Sequence, residues 1–152
     1  RFHSVVLDRK RGDIPYVRIA VPKEYVSMQR REFLRVSCSL DVAIHPLNRE
    51  FAPFTSVTND LSAGGVSIVV PKTMIKNFTK DQKVLCWIVL PMQSGDYHYL
   101  KLSGKVVRTF ELNERSFCIS LKFLDKTKKQ EQQLLRYCFE YQLMMKQKET
   151  GL

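Results

Sequence analysis

Apolar and polar residues alternate along the central part of the chain. From Val36 to His45 every second residue is apolar, beginning with Val36, Cys38 and Leu40, and the residues between them are mostly polar. This period of two predicts a half-buried β-strand. Further strands are predicted at 54–59, 66–70, 84–90, 97–110 and 116–124. Six short strands at close spacing favour an all-β barrel or sandwich.

The period of the pattern changes after residue 125. The apolar residues then recur at helical spacing, at Leu134, Tyr137, Cys138, Tyr141 and Met145. Lysines and a glutamate occupy the other side, so the sequence predicts a C-terminal amphipathic α-helix. We expect its apolar side to cap the barrel; the alternative is that part of that side serves dimerisation or the docking of a partner.

The first part of the chain is organised differently. Residues 1–8 and 14–21 are short β-like runs, and the charged residues 9–13 between them contain a Gly-Asp pair that suits a hairpin turn. Pro22 and the polar residues that follow interrupt the pattern. We therefore divide the chain into a short β appendage at 1–22, a linker at 23–35, and a barrel with its helix at 36–152.

The net charge of +10 indicates an anionic partner, such as nucleic acid, nucleotide phosphates or a membrane surface. The longest apolar runs fall far short of the roughly 20 residues that span a bilayer, and no signal-peptide pattern opens the chain. We expect a cytoplasmic protein without an integral membrane segment.

Cysteine and histidine residues give no sign of a metal or redox site. The four cysteines are far apart, and each lies in an apolar stretch, which predicts reduced thiols in the core. There is no CxxC pair, and the three histidines are isolated from one another. We expect neither a bound metal nor a cofactor.

A first candidate binding motif is the basic segment QRREFLR at residues 29–35, directly before the first predicted strand. Arg30, Arg31 and Arg35 carry planar guanidinium groups, which can bind phosphate in a bidentate manner and stack on purines. Arg31 and Arg35 are four residues apart and can converge on one ligand. A solvated basic linker is the plainer interpretation of such a segment.

A second candidate motif is NDLSAGG at residues 59–65, between two predicted strands. The Asp60 carboxylate could accept hydrogen bonds from the donor edge of guanine, and Ser62 could bond a base or a phosphate. Gly64 and Gly65 permit a positive φ or a close approach of a ligand to the backbone. The plainer interpretation is a hairpin.

Together, Arg31-x-x-x-Arg35 and Asp60-x-Ser62-x-x-Gly65 closely resemble the signature of the PilZ domain family. The resemblance covers about residues 29–145, and Gly104 resembles another recurrent PilZ glycine. It implies a six-stranded antiparallel barrel with a C-terminal helix that acts as a receptor for cyclic di-GMP. In that role the arginines bind phosphates and guanine, Asp60 and Ser62 read the guanine edge, and Gly65 lets the ligand approach the backbone.

The resemblance extends to stoichiometry and output. In PilZ domains an arginine at the position of Arg30 accompanies a stacked cyclic di-GMP dimer, which implies two ligands per site. The upstream hairpin and linker look like the end of the N-terminal domain of flagellar-brake PilZ proteins, so residues 1–22 would be the remnant of an upstream β domain. Such proteins act on the flagellar stator or switch, which implies a role in motility.

Two other function classes remain open. A nucleic-acid-binding small barrel could use the basic charge and the aromatic residues Phe33, Phe54, Tyr97 and Tyr99 as a stacking surface. Alternatively, an adaptor could keep the barrel without binding a nucleotide. We expect no catalytic residues, because the chain has no GxSxG elbow, no HExxH and no P-loop, and no histidine is placed to activate Ser62.

Overall fold

The structure, a computed structural model, describes residues 33–150, which lie within one compact unit. The predictions for residues 1–32 lie outside the described residues. They include the β appendage, most of the linker, and the site residues Arg30 and Arg31.

Six strands and one long helix follow one another along the described chain, with a short 3-10 helix between the third and fourth strands. The elements are β1 (Asp41–Pro46), β2 (Phe54–Leu61), β3 (Gly65–Pro71), the 3-10 helix (Lys72–Asn77), β4 (Lys83–Pro91), β5 (Tyr97–Glu111), β6 (Ser116–Leu124) and α1 (Lys128–Glu149). All paired strands are antiparallel, and they form a closed barrel in the order β1-β2-β3-β6-β5-β4. This confirms the predicted barrel with a C-terminal helix.

The core fills the inside of the barrel with alternate residues from every strand. Each fully buried leucine or isoleucine contributes about 1.5–3 kcal/mol relative to an exposed one. The largest buried side chains include Ile44, Leu61, Ile68, Ile88, Leu102 and Ile119. Gly104 also faces inward, and a Cβ there would lie 3.3 Å from the Cβ of Leu121. The glycine therefore leaves room for a core leucine.

The first barrel strand begins later than predicted. Burial alternates from Val36 onward, but β1 starts only at Asp41. The reason is Thr58, whose hydroxyl accepts the N–H of Leu40 at 2.9 Å and donates to the carbonyl of Cys38 at 2.6 Å. A side chain thus replaces part of the backbone ladder, next to an irregularity in β2 between Thr58 and Asp60.

Helix α1 begins with a capping box and closes on the barrel. The Thr127 hydroxyl accepts the N–H of Gln130, and the Gln130 side chain accepts the N–H of Thr127, both at 3.0 Å. Three helix residues are buried against the barrel: Leu134, Tyr137 and Cys138. The prediction was wrong for Met145, which is 38% exposed, because the last turns extend beyond the residues that pack on the core.

Candidate functional site

An isolated antiparallel bridge joins the two predicted motifs. Val36, which follows Arg35, donates its backbone N–H to the carbonyl of Leu61 and accepts the N–H of Leu61, each at 2.9 Å. The side chains of Val36 and Leu61 are both buried in the core. The bridge therefore brings Arg35 beside Asp60 and Ser62, the two residues that flank Leu61.

A second contact between the motifs is made by Phe33. A Cβ added to Gly64 would lie 3.0 Å from Cδ2 of the Phe33 ring, so the ring lies directly over this glycine. The Lys126 ammonium group lies 5.3 Å from the centre of the same ring, within range of a cation–π interaction. Phe33 thus anchors the end of the arginine segment on the turn between β2 and β3.

The hydroxyl of Ser62 stabilises that turn. The Ser62 backbone N–H donates to the carbonyl of Gly65 at 2.9 Å. The Ser62 Oγ accepts the N–H of Gly64 at 3.1 Å and that of Gly65 at 3.2 Å, and lies 3.4 Å from the Gly65 carbonyl. The hairpin interpretation of this motif is therefore correct as a description of local structure.

Glycine is required at position 65 by the neighbouring strand. Neither Gly64 nor Gly65 has a positive φ. A Cβ on Gly65 would overlap with the backbone carbonyl oxygen of Leu121 in β6. The structure thus shows a close approach between Gly65 and a strand of the barrel, whereas the approach of a ligand to Gly65 stays a prediction.

A row of polar residues crosses four strands beside the second motif. Asp60 in β2 lies opposite Ser67 in β3, Ser67 lies opposite Ser120 in β6, and Ser120 lies opposite Arg108 in β5. The alternate residues of these strands, such as Ile68, belong to the core, so the row faces outward. With neighbouring strands about 4.8 Å apart, the row spans about 14 Å.

Two buried groups lie close to Asp60 in this outer layer. Ser67 is 3% exposed, and its hydroxyl has no hydrogen-bond partner within residues 33–150. Cys118 is fully buried but lies outside the contiguous core cluster. Burial raises the pKa of its thiol, and the negative charge of Asp60 raises it further. All four cysteines are unpaired and buried, as predicted; Cys38, Cys86 and Cys138 belong to the contiguous core cluster, and Cys118 is buried outside that cluster.

A basic row runs parallel to the polar one. Gly65 lies opposite Lys122 in β6, Lys122 opposite Lys105 in β5, and Lys105 opposite Lys83 in β4. Lys105 is also 3.8 Å from Asp81. Together with Arg35 and Arg108, these lysines give the barrel surface beside the β2–β3 turn a positive charge, which suits an anionic ligand.

The structure brings five of the seven predicted site residues together: Arg35, Asp60, Ser62, Gly64 and Gly65. Strand pairing also places Ser67, Arg108 and Lys122 near these residues, which sequence reasoning did not predict. Alternation alone predicts that Lys122 points outward from its strand. Its proximity to Gly65 depends on the pairing of β3 with β6, which are not consecutive in the chain.

A different part of the barrel exterior carries a groove of about 720 Å³. It lies on β1, β2 and β4 and is lined by residues that include Asp41, Val57 and Trp87. The Lys101 ammonium group lies 5.3 Å from the Trp87 ring. None of the five predicted residues described above lines this groove.

Residues Phe33 to Thr150 meet neither the requirements of a metal site nor those of a membrane-spanning helix. Within this range no three His, Cys, Asp or Glu side chains are grouped so that they could hold a metal ion. None of the helices in the same range combines the length and the apolar character needed to cross a membrane.

A family model described as "PilZ domain" matches residues 29–140, a range that contains both motifs. A search of curated proteins gives no significant match. Among solved structures, the chain is similar to the Bacillus subtilis inhibitor of motility MotI/DgrA, with 24% identity and a TM-score of 0.65. That likeness covers 76% of this chain and 52% of MotI, so the chain spans about half the length of that protein.

Two further structures share the fold. One is the PilZ domain of Escherichia coli YcgR with c-di-GMP, at 17% identity and a TM-score of 0.61, covering 82% of this chain and all of that domain. The other is the MrkH–c-di-GMP complex of K. pneumonia, at 16% identity and a TM-score of 0.60, covering 79% of this chain and 56% of MrkH.

Proposed function

This chain belongs to the PilZ domain family, and from that premise we propose that it is a receptor for cyclic di-GMP and not an enzyme. The observation that carries the proposal is the bridge between Val36 and Leu61, which brings Arg35 beside Asp60 and Ser62. Cyclic di-GMP is also the ligand named in the YcgR and MrkH structures that share this fold.

The chemistry of each predicted residue suits this ligand. Arg35, together with Arg30 and Arg31, offers planar donors for the phosphates and a flat cation for stacking on guanine. The Asp60 carboxylate accepts from the guanine N–H groups. Gly64 leaves room for the Phe33 ring, which holds the arginine segment beside the turn.

We include Arg108 and Lys122 in the ligand surface, and the Ser67 hydroxyl, which is buried in this structure, lies in the strand beside Asp60. Arg108 lies in the same outward row as Asp60, and its guanidinium lies 4.5 Å from the ring of Phe110, which limits its movement. Lys122 lies opposite Gly65. The Ser67 hydroxyl has no partner within the described residues and lies opposite Asp60. A dianionic dinucleotide would gain a charge-assisted contact from either basic residue.

We further propose two ligand molecules per site, because Arg30 supplies an additional guanidinium for a second guanine base. Phe33 and Arg35 at the end of the linker 23–35 already contact the barrel. Binding would fold the rest of this linker onto the barrel at 36–152 and so change the position of the upstream part of the chain, residues 1–22. The likeness to MotI, named as an inhibitor of motility, supports an output in flagellar motility, through the stator or the switch in the cytoplasm.

Isothermal titration of the whole chain with cyclic di-GMP tests the proposal, with GTP and cyclic di-AMP as competitor controls. We expect saturable, guanine-selective binding near two ligands per chain. Arg35→Ala should abolish it, whereas Arg115→Ala, the same change in the distant turn between β5 and β6, should not. Absence of binding by the folded protein would rule out the receptor, and binding of one ligand would rule out only the stoichiometry.

Single-stranded nucleic acid is a second candidate, favoured by exposed aromatic residues on one face of the barrel. Tyr97 and Tyr99 are 59% and 72% exposed, and Trp87 lies on the adjacent strand beside Lys101. Of the other aromatics predicted for this role, Phe33 and Phe54 pack against the core. Binding of an oligonucleotide that weakens steeply with salt and is lost in the Tyr97→Ala, Tyr99→Ala double variant would support this function.

A further inference from the structure

Helix α1 carries a second apolar stripe that the barrel does not cover. Leu135, Phe139 and Leu143 are all exposed, and Phe139 is 57% exposed. They are spaced by four residues, so they form one ridge along the helix. At 3.6 residues per turn, Phe139 points almost directly away from the side that carries Tyr137 and Tyr141. Large apolar side chains aligned in this way, and not scattered singly, indicate an interaction surface.

We propose that this ridge pairs with the same ridge of a second copy of the chain, in an antiparallel arrangement about a two-fold axis at Phe139. A two-fold interface must be complementary to itself. Leu135 and Leu143 are equally far from Phe139 along the helix, so a two-fold axis there sets Leu135 against the partner's Leu143. The two Phe139 rings meet at the centre.

The spacing of the ridge determines how the helices cross. Residues four apart form the ridge that packs between the ridges of a partner helix at an angle of about 50°, the commonest class of helix contact in globular proteins. Such a crossing confines the contact to about one turn on either side of its centre. This is the length over which Leu135, Phe139 and Leu143 extend.

Charge explains why this face, and not another, suits self-association. The chain carries a net charge of +10, so most of its surfaces repel their own copies. Next to the ridge, however, Arg136 and Glu140 form an ion pair at 3.0 Å and neutralise each other. Gln132 and Gln142, which also flank the ridge, are uncharged, and Lys146 places one positive charge at its C-terminal end. The face therefore carries no net charge within a turn of Phe139.

Charge also selects the antiparallel direction. In a parallel pair the two helix dipoles point the same way, whereas in the antiparallel pair they oppose each other favourably.

Sedimentation velocity of the whole chain over a range of concentrations tests the proposal. We expect a reversible dimer, and we expect Phe139→Glu to weaken it at least about tenfold, because two carboxylates would meet at the axis. Leu112→Glu is the matched control, since Leu112 is also an exposed leucine but lies in the turn after β5. A native chain that stays monomeric throughout, or equal weakening by both variants, would overturn the proposal.

Disulfide cross-linking tests the direction of pairing. The four native cysteines, Cys38, Cys86, Cys118 and Cys138, are buried, so introduced thiols report alone. F139C should form a covalent dimer readily. L135C mixed with L143C should cross-link, whereas L135C alone should not. Efficient cross-linking of L135C alone would show a parallel pair and contradict the inference.

Discussion

Val36 and Leu61 exchange both of their backbone hydrogen bonds, each 2.9 Å long. The pair connects the segment that carries Arg35 to the strand that carries Asp60. The carbonyl of Leu61 also lies 3.6 Å from the thiol of Cys138 in α1. One residue of β2 therefore contacts both the arginine segment and the helix that closes the barrel.

Hydrogen exchange at Val36 should respond to the ligand. If cyclic di-GMP bridges Arg35 and Asp60, it reinforces the bridge between the two segments, and the Val36 amide should exchange at least about tenfold more slowly when the ligand is bound. Exchange monitored by NMR measures this directly. The amide of Val84, in β4 on another part of the barrel, serves as the reference. Equal slowing at both amides would indicate general stabilisation and would contradict a local effect.

Gly65→Ala should destabilise the barrel. The added methyl group would overlap with the carbonyl oxygen of Leu121, so β3 and β6 must separate locally. Overpacking of this kind costs about 1–3 kcal/mol, which urea denaturation can measure. Gly64→Ala is the matched variant, because its methyl group would be close only to side chains, the Phe33 ring at 3.0 Å and the Ser62 hydroxyl at 3.7 Å, and the ring can move. An equal loss for the two variants would show that the strand backbone is not the limiting contact.

Arg108→Ala should weaken cyclic di-GMP binding without unfolding the protein. Arg108 lies on the exterior in the row that contains Asp60, and loss of one charge-assisted hydrogen bond of about 1.5–3 kcal/mol corresponds to roughly a 10- to 100-fold change in affinity. Titration calorimetry gives the affinity. Lys76→Ala removes an equal charge from the 3-10 helix and should leave binding nearly unchanged. If the two variants bind equally well, Arg108 lies outside the ligand surface.

Glu140 should stabilise the folded protein near neutral pH, and this stabilisation should be lost at acid pH. Glu140 accepts the backbone N–H of Gln93 at 3.0 Å and the side chain of Arg136 at 3.0 Å. The hydrogen bond from Gln93, followed by that from Arg136, lowers the pKa of Glu140 below its ordinary value of 4.5. The unfolded chain therefore binds this proton more readily, so the stabilisation is complete above pH 4.5 and is lost as the pH falls through the lowered value.

Denaturation of the native chain and of Glu140→Gln at several pH values measures this contribution. The native chain should be more stable near neutral pH, and the difference should shrink below pH 4.5. A difference that stays constant down to about pH 3 would show that Glu140 does not titrate differently in the folded state.

Alternation in the sequence was enough to predict most of the barrel. The limits predicted for the sixth strand agree with β6, Ser116–Leu124, and those predicted for the fifth strand differ from β5 by one residue. In a long strand, apolar residues along one face leave little freedom in the pairing register. The alternation did not predict the residue at which β1 begins, because the Thr58 hydroxyl takes the place of a backbone partner before that strand. A side-chain hydrogen bond across the fold leaves no periodic signal.

The candidate site was predictable only in part. Arg35, Asp60 and Ser62 lie in two short motifs whose residue types already suggest phosphate and guanine recognition. Lys122 and Arg108 reach the same surface through the pairing of β6 with β3 and β5, which no local pattern specifies. An extra residue in β5 between Val106 and Arg108 also shifts the register there.

The turn formed by Ser62 has a chemical consequence for anything bound beside it. The Oγ atom already accepts two backbone N–H groups, and a hydroxyl has two lone pairs. Only the hydroxyl proton of Ser62 is then available for a further hydrogen bond. In this structure it makes a long and therefore weak contact, 3.4 Å, with the Gly65 carbonyl. Toward a neighbouring molecule Ser62 is therefore a donor alone, suited to a phosphate oxygen or to the O6 and N7 atoms of a guanine base, whereas the Asp60 carboxylate can only accept.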